Sequence, residues 1–482
     1  MTAIARPARA RESRGGFAGK RVLIVGVGQF GGQIEAARFM AREGARVLAT
    51  DLKDAAKLGR ALDAFKELPI ELRLGEHRDE DFLSADLLVV SPAIPKSSRF
   101  LRLALERGTP WTTELNLTIA RLRAPIYAVT GSNGKSTVTS LLGRVVEAAG
   151  RRAFVGGNIG RPLLNEVDAI GPEDRAVLEL SSFQLEDLGG GASGEAFAPD
   201  LALVTNLTPN HLDRHLTMEA YVAAKRSLVE GQRPDQVAVL NRDDPLVIAF
   251  RDATRARVFT YGLDRRFEGP GAFVEDGWLV ARDAAGAERR VLAVAAMRIA
   301  GRHNVLNALA VVAAAVALGI DLERAAPAIA SFEGLRDRLE PVAERAGARY
   351  VNDSKSTTPE AAVAGIEAYA PGLTLIAGGS DKGMDFRPLA ESAAARCAQV
   401  LLIGQTRAKL RDEILAAAGR LARRPPAIEC CDTLERAVAL AAERTPAGQV
   451  VLFSPACASY DMFLSFEERG ERFRTCVRGL PE

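Results

Sequence analysis

The stretch Ala128-Val129-Thr130-Gly131-Ser132-Asn133-Gly134-Lys135-Ser136-Thr137 constrains this chain more than any other. An apolar run over 126–129 predicts a strand, the Gly/Ser/Asn segment a turn, and Lys-Ser-Thr the opening of a helix at Val138. Two glycines let the backbone fold around an anion with successive N–H groups pointing inward. The helix N-terminus adds partial positive charge, Lys135 adds a full one, and a Ser or Thr hydroxyl can ligate Mg²⁺. The usual P-loop carries a further glycine five residues before the second one, a position held here by Val129. The chemistry is that of a phosphate cradle, set well inside the chain.

A chain of 482 residues has room for two to four domains. With 63 Lys+Arg against 61 Asp+Glu, the charge gives no argument for nucleic acid or for an anionic membrane. Five cysteines (Cys397, Cys430, Cys431, Cys457 and Cys476) form neither a CxxC pair nor a disulfide framework, which points to a reducing cytoplasm. Four widely spread histidines offer no zinc-ligand spacing. The Arg-rich start lacks the apolar core of a signal peptide and reads as a disordered tail over 1–19. The Ala/Val-rich segment 308–320 falls short of the roughly 18 residues a membrane span needs, and reads as a buried helix.

Strands alternating with helices predict an α/β protein of three domains, at 20–123, 124–331 and 332–482. The expected classes are a Rossmann-like N-terminal domain, a central P-loop ATPase-like parallel sheet and a C-terminal Rossmann-like domain. Short alternating segments between 255 and 300 read as antiparallel strands at a sheet edge. In the first domain, Gly26-Val27-Gly28-Gln29-Phe30-Gly31 follows a strand and opens a helix, and Asp51 ends the next strand. Taken alone, this pattern favours an NAD-dependent oxidoreductase with Asp51 on ribose hydroxyls. A dehydrogenase, however, has no use for the second phosphate loop at Gly131. Two such loops ask for an enzyme that handles two phosphate-bearing ligands.

Glu179, in Glu179-Leu180-Ser181-Ser182-Phe183-Gln184, ends an apolar strand where an open parallel sheet presents its crevice, and a carboxylate there suits Mg²⁺ on nucleotide phosphates. His211 lies in a polar loop after another strand, a place where function concentrates. Lys225, on composition alone, reads as a solvated helix lysine.

These segments, together with His211-Leu212-Asp213-Arg214-His215, Gly301-Arg302-His303-Asn304, Asn352-Asp353-Ser354-Lys355-Ser356-Thr357 and Ser454-Pro455-Ala456-Cys457-Ala458-Ser459, resemble the Mur ligases of peptidoglycan synthesis, in order and spacing, from about residue 20 to the end. The resemblance implies an ATP-dependent ligase that phosphorylates a terminal carboxylate and lets an amino acid's amine attack the acyl phosphate. It implies UDP-N-acetylmuramoyl-L-alanine and D-glutamate as substrates, ATP and Mg²⁺ as cofactors, and a cytoplasmic monomer with no nucleic-acid partner and no stable membrane insertion. Gly28, Gly31 and Asp51 would then serve UDP rather than NAD, with Asn158 and His211 also facing the UDP-sugar substrate. Gly131, Ser132, Asn133, Gly134, Lys135, Ser136 and Thr137 match the ATP loop, Asn304 and Asn307 the adenine side, and Arg338 the arginine that reaches ATP from an interdomain hinge. Ser136, Glu179, His211 and Lys225 match the metal positions, Lys225 as a carbamate, and Lys135, Glu179, His211, Lys225 and Arg338 the catalytic ones. Lys355, Thr357, Lys382, Ser459, Tyr460 and Phe466 match positions for the glutamate carboxylates and ATP phosphates.

The chain departs from the family where Gly334-Leu335-Arg336-Asp337-Arg338 replaces the common Gly-Leu-Pro-His-Arg, where Ser91-Pro92-Ala93 replaces Ser-Pro-Gly, and where Tyr460 stands at a frequent leucine. A sister ligase using L-glutamate, another amino acid or a folyl-type acceptor is the alternative within the class. An NAD oxidoreductase and a nucleotide sensor without turnover are the alternatives outside it.

Overall fold

A computed structural model describes residues 16–27, 31–58, 62–188, 197–265, 267–299, 301–381 and 383–481. Gly28 and Lys382, both expected at binding sites, lie outside the described residues. The chain divides into two compact units, one holding the described residues up to Val294 with Asn307–Ile329, the other Ala295–Leu306 with the residues from Ala330 onward. No helix among the described residues is long and apolar enough to cross a membrane.

The first unit contains two sheets. The first is built from β1 (Arg21–Val25), β2 (Arg46–Asp51), β3 (Glu71–Leu74), β4 (Leu87–Val90) and β5 (Trp111–Thr112), in the order β3-β2-β1-β4-β5 with every pairing parallel. Its side chains alternate between two cores: Val22 and Ile24 pack into one, Leu23 and Val25 into the other. This period of two explains why the strand reads as an unbroken apolar run, since both faces are covered. Order reverses between β1 and β4, and the glycine turn after β1 sits at that switch point, where open α/β sheets bind ligands. Residues 16–19, which the sequence reading places in the tail, form a turn instead. Phe17 is buried edge-on against Phe39, and the Gly19 N–H donates to the Gly44 carbonyl at 2.8 Å.

The second sheet comprises β6 (Ile126–Thr130), β7 (Ala153–Gly157), β8 (Arg175–Glu179), β9 (Leu201–Val204), β10 (Val237–Asn241), β11 (Arg257–Tyr261), β12 (Gly271–Glu275), β13 (Trp278–Arg282) and β14 (Glu288–Ala293). Its order is β14-β13-β12-β11-β10-β9-β6-β8-β7. Pairing is parallel from β7 through to β12, and only β12-β13-β14 form the antiparallel edge expected from the alternating segments. The two sheets of this unit share a joint. The Asn116 side-chain amide donates to the Asp187 carbonyl at 2.8 Å, the Asp187 carboxylate is paired with Lys96, and Leu164 enters the core of the first sheet.

The second unit holds β15 (Glu340–Arg345), β16 (Ala348–Asn352), β17 (Leu373–Gly378), β18 (Cys397–Ile403), β19 (Ala427–Cys430) and β20 (Val450–Phe453), ordered β15-β16-β20-β17-β18-β19. All pairings are parallel except the β15–β16 hairpin. Because β16, β20 and β17 are neighbours, the loops that follow them open on one edge of the sheet.

Candidate active site

Within the first unit, β6, β8 and β7 align so that Val129 pairs with Glu179 and Glu179 with Gly157, while Thr130 pairs with Val204 of β9 on the other side. This register brings Gly131–Gly134, Glu179 and the segment from Thr205 onward to one sheet edge. Gly131 (φ 142°) and Gly134 (φ 80°) take conformations that disfavour side chains. Space demands glycine too: a Cβ at Gly131 would lie 1.9 Å from Thr205 Oγ1, and one at Gly134 would lie 2.4 Å from Asn307 Oδ1. Asn307 therefore stands directly against the loop.

The loop is held from outside. Ser132 N–H donates to the Asn206 carbonyl (2.7 Å) and Asn133 N–H to Asn206 Oδ1 (2.9 Å), while the Asn133 carbonyl accepts from Thr205 Oγ1 (2.6 Å) and Asn206 Nδ2 (3.0 Å). Two of the N–H groups expected to face an anion are thus committed to Asn206. The anion-attracting end is the helix Lys135–Ala148, with Lys135, Ser136 and Thr137 in its first turn. Lys135 Nζ folds back to the Ser132 carbonyl at 2.8 Å, and Ser136 is buried. Sequence reasoning missed the outer brace, although the polar segment 205–211 after an apolar strand was its visible signal. Tyr221, whose hydroxyl lies 2.8 Å from Ser132 Oγ, gave no signal at all.

Glu179 is buried. One carboxylate oxygen accepts from Asn158 Nδ2 at 2.8 Å, and the other, Oε2, has no hydrogen-bond partner among the described residues. A buried carboxylate oxygen without a donor is costly unless a cation completes it. Asn158, expected at the UDP-sugar, is exposed and holds Glu179 in place. In the same motif, Ser181 and Gln184 form a reciprocal capping box on the helix Ser182–Asp187, so these two residues start a helix, a device worth about 1 kcal/mol.

Lys225, far from solvated, is 1% exposed and sits beneath the phosphate loop. Its Nζ lies 3.3 Å from Thr130 Oγ1 and 4.8 Å from the Tyr221 ring centroid. Burial, reinforced by the positive charge of Lys135 and opposed by Glu179, drives its pKa well below the ordinary 10.5. His211 is exposed with φ 56°, and its ring lies 4.8 Å from Phe183. His215 backs Phe183 from within, stacked at 5.4 Å with Nε2 2.8 Å from Ser182 Oγ, and burial lowers its pKa. At the other sheet of this unit, Gly31 caps the helix Gly32–Arg42, and Asp51 accepts from Val27 N–H and Lys53 N–H, both at 2.9 Å. Asp51 therefore shapes the glycine turn itself.

In the second unit the segments after β16, β17 and β20 meet as their strand order requires. Ser380 bridges Ala458, Ser354 Oγ donates to the Phe466 carbonyl at 2.8 Å, and Lys355 Nζ lies 5.5 Å from the Phe466 ring centroid. Thr357 follows on the same loop, Ser459 is buried, and Tyr460 is exposed. Arg469, missed from sequence, fastens two of these loops, donating to Ser354 Oγ (3.0 Å), the Ser354 carbonyl (2.8 Å) and the Cys457 carbonyl (3.0 Å). Arg338 lies close enough to half-buried His303 for its charge to add to the desolvation that lowers the imidazole pKa. Asn304, next in the chain, falls in this unit with Arg338.

Profiles of three domains match the chain in order: the MurD-like N-terminal domain over residues 20–112, the Mur ligase middle domain over 129–315, and the Mur ligase glutamate ligase domain over 337–457. The UDP-N-acetylmuramoylalanine–D-glutamate ligase of Geotalea uraniireducens is 41% identical over 463 residues, covering 96% of this chain and 98% of that protein. The chain belongs to the Mur ligase family. A second ligase of the same name, from Caldanaerobacter subterraneus, is 38% identical to this Mur ligase over 461 residues, covering 96% and 98% of the two chains. Among solved structures, the UDP-N-acetylmuramate–alanine ligase of Thermotoga maritima shares its fold with a TM-score of 0.62 at 18% identity, covering 95% of this Mur ligase and 99% of that chain. MurF of Acinetobacter baumannii does so with a TM-score of 0.55 at 17% identity, over 83% and 93%. This Mur ligase is an ATP-dependent ligase rather than a dehydrogenase.

Proposed function

We propose that this Mur ligase joins D-glutamate to UDP-N-acetylmuramoyl-L-alanine, using ATP and Mg²⁺, as a monomer in the cytoplasm where nucleotide-activated precursors are made. The observation that carries the reading is the sheet edge where Lys135, Glu179 and Lys225 meet below a phosphate loop. Nearly full-length relatives bearing that enzyme name support the choice of substrates.

The UDP moiety lies on Gly28, Gly31 and Asp51, and the substrate's terminal carboxylate extends toward Asn158 and His211. ATP is held by residues 131–137, with Asn304 and Asn307 on the adenine side and Arg338 reaching its phosphates. Lys135 leaves the Ser132 carbonyl for the γ-phosphoryl group, where its charge offsets the charge that develops in transfer. The substrate carboxylate attacks that group and displaces ADP to give an acyl phosphate. Lys355, Thr357, Lys382, Ser459, Tyr460 and Phe466 orient D-glutamate so that its amine attacks the acyl carbon, and phosphate leaves as the amide forms.

Among the described residues no group of three or more His, Cys, Asp or Glu side chains can hold a metal. The residues present nonetheless suit Mg²⁺, because the Glu179 Oε2 atom lacks a donor and phosphate oxygens complete a magnesium shell. Ser136, Glu179, His211 and Lys225 as a carbamate would hold the metal, which neutralises phosphate charge when bound. A lysine ammonium has no lone pair to offer, whereas a carbamate has two oxygens and a negative charge. The neutral amine needed for carbamylation by CO₂ is the form that burial favours at Lys225.

Phosphate release from ATP is the test, run against a panel of D- and L-amino acids. We expect release only when UDP-N-acetylmuramoyl-L-alanine and D-glutamate are both present. Equal release with L-glutamate would move the enzyme to a sister ligase, and release independent of either substrate would remove the ligase reading.

A further inference from the structure

The segment where this chain departs from its family is tied to the C-terminal helix Phe466–Arg478 by a run of charges. Leu335 and Arg338 close a tight turn, with Arg338 N–H donating to the Leu335 carbonyl at 3.1 Å. Asp337 in that turn has φ 62°, and Leu339 beyond it has φ 43°. Two left-handed non-glycine residues thus flank Arg338, a conformation that persists only where the surroundings enforce it.

Charged and polar neighbours enforce it. Asp337 is 4% exposed, and its Oδ1 accepts from Asn352 Nδ2 at 2.8 Å and from Arg474 Nη1 at 3.0 Å. Arg474, 3% exposed, also donates to Glu340 Oε2 at 2.8 Å, the same oxygen that accepts the Asp337 N–H at 2.8 Å. Its other nitrogens reach Glu471 Oε2 at 2.9 and 3.1 Å, and that atom also takes Arg336 at 2.7 Å. Both departing residues, Arg336 and Asp337, are therefore answered from one helix. Gly470 lets the helix approach, since a Cβ there would lie 1.7 Å from Asp337 Oδ1. On the far side, the Asp337 carbonyl accepts from Lys355 N–H at 2.9 Å, and Leu339 N–H donates to Asp353 Oδ1 at 3.2 Å.

We infer that Arg474 is a positioning residue for nucleotide binding: through Asp337 and Glu340 its buried ion network fixes the turn that aims Arg338. The inference rests on the assignment of Arg338 to ATP. Charge alone does not explain the arrangement, because a forked guanidinium is needed to bridge three carboxylates at once.

The test measures KM for ATP, KM for the UDP-sugar substrate and kcat in the full chain. Arg474→Ala is expected to raise KM for ATP about tenfold while leaving KM for the UDP-sugar unchanged. Arg474→Lys, which keeps the charge and the fold but loses the fork, is expected to fall between. Arg338→Ala raises KM for ATP by itself, and adding Arg474→Ala to it is expected to change nothing further. Arg472→Ala, an exposed arginine on the same helix paired with Glu435, serves as the unchanged control. A purely structural role would lower the active fraction, hence apparent kcat, with neither KM moving. Unchanged KM for ATP in Arg474→Ala, or in Arg474→Lys if the alanine variant does not fold, overturns the inference, as does an additive effect in the double variant. Calorimetric titration with ADP repeats the comparison without turnover. Weaker ADP binding in the variants of a protein that performs no ligation would sink the proposed substrates and leave this inference standing.

Discussion

Lys135→Ala is expected to lower ATP-dependent phosphate release by about a thousandfold while the fold persists. Phosphoryl transfer asks the protein for little covalent chemistry, so positioning and charge stabilisation carry most of the catalysis. Deleting one well-placed donor from such a site costs on the order of 10²–10³ in rate, and a full positive charge lies at the upper end. The fold has small reason to suffer. Lys135 occupies the first helical position and donates to the Ser132 carbonyl, while Thr205 and Asn206 brace the loop independently. Thermal melting within a few degrees of the parent would document that. A folded variant that keeps near-normal acyl-phosphate formation would return Lys135 to the status of a turn residue.

Lys225 yields the second large effect, and a more discriminating one. Lys225→Ala is expected to lose activity by about a hundredfold or more, in line with the removal of a metal-site residue. Lys225→Arg is expected to do no better, because a guanidinium stays protonated and is not carbamylated. Small carboxylic acids added to Lys225→Ala are expected to restore part of the rate by supplying two oxygens and a negative charge in the space left below Thr130. The surroundings suit the chemistry: the amine is buried against a hydroxyl and a ring face, and that burial drives its pKa down, toward the nucleophilic neutral form. Near-ultraviolet circular dichroism checks folding, and initial rates with and without acetate or formate check rescue. Full activity in Lys225→Arg would end the carbamate assignment.

Much of the fold was legible because parallel strands buried on both faces must read as apolar runs. β1, β6, β8, β9, β10 and β20 all announce themselves this way, and glycine loops mark the C-terminal ends of β1 and β6. Strands lacking that pattern were silent. β19 leaves three of its four residues exposed, β15 carries Pro341 in a partly exposed hairpin, and β7 ends in Gly156-Gly157. Residues 16–19 read as tail because Phe17, isolated among Arg and Gly, buries against Phe39 from a distance in sequence that local patterning does not register.

The site divides in the same way. Lys135 and Glu179 were legible from the chemistry of their spacing, whereas the burial of Lys225 was not, since a lysine on the helix Met218–Glu230 looks like any other until its neighbours are known. Asn158 was placed at the sugar by resemblance, and its amide is found on Glu179. Arg474 sits among charged residues at the end of a polar helix, and only tertiary packing against the turn Leu335–Arg338 separates it from the exposed arginines beside it.

In the proposed reaction the substrate's carboxylate itself attacks ATP at this phosphate loop. That step is tested most directly by labelling both oxygens of that carboxylate in UDP-N-acetylmuramoyl-L-alanine with ¹⁸O and running single turnovers with ATP and D-glutamate. Passage through an acyl phosphate transfers one labelled oxygen to each phosphate released, and leaves the other in the new amide. Singly labelled phosphate, formed together with ADP, is the predicted result. Unlabelled phosphate, or release of AMP, would contradict the account.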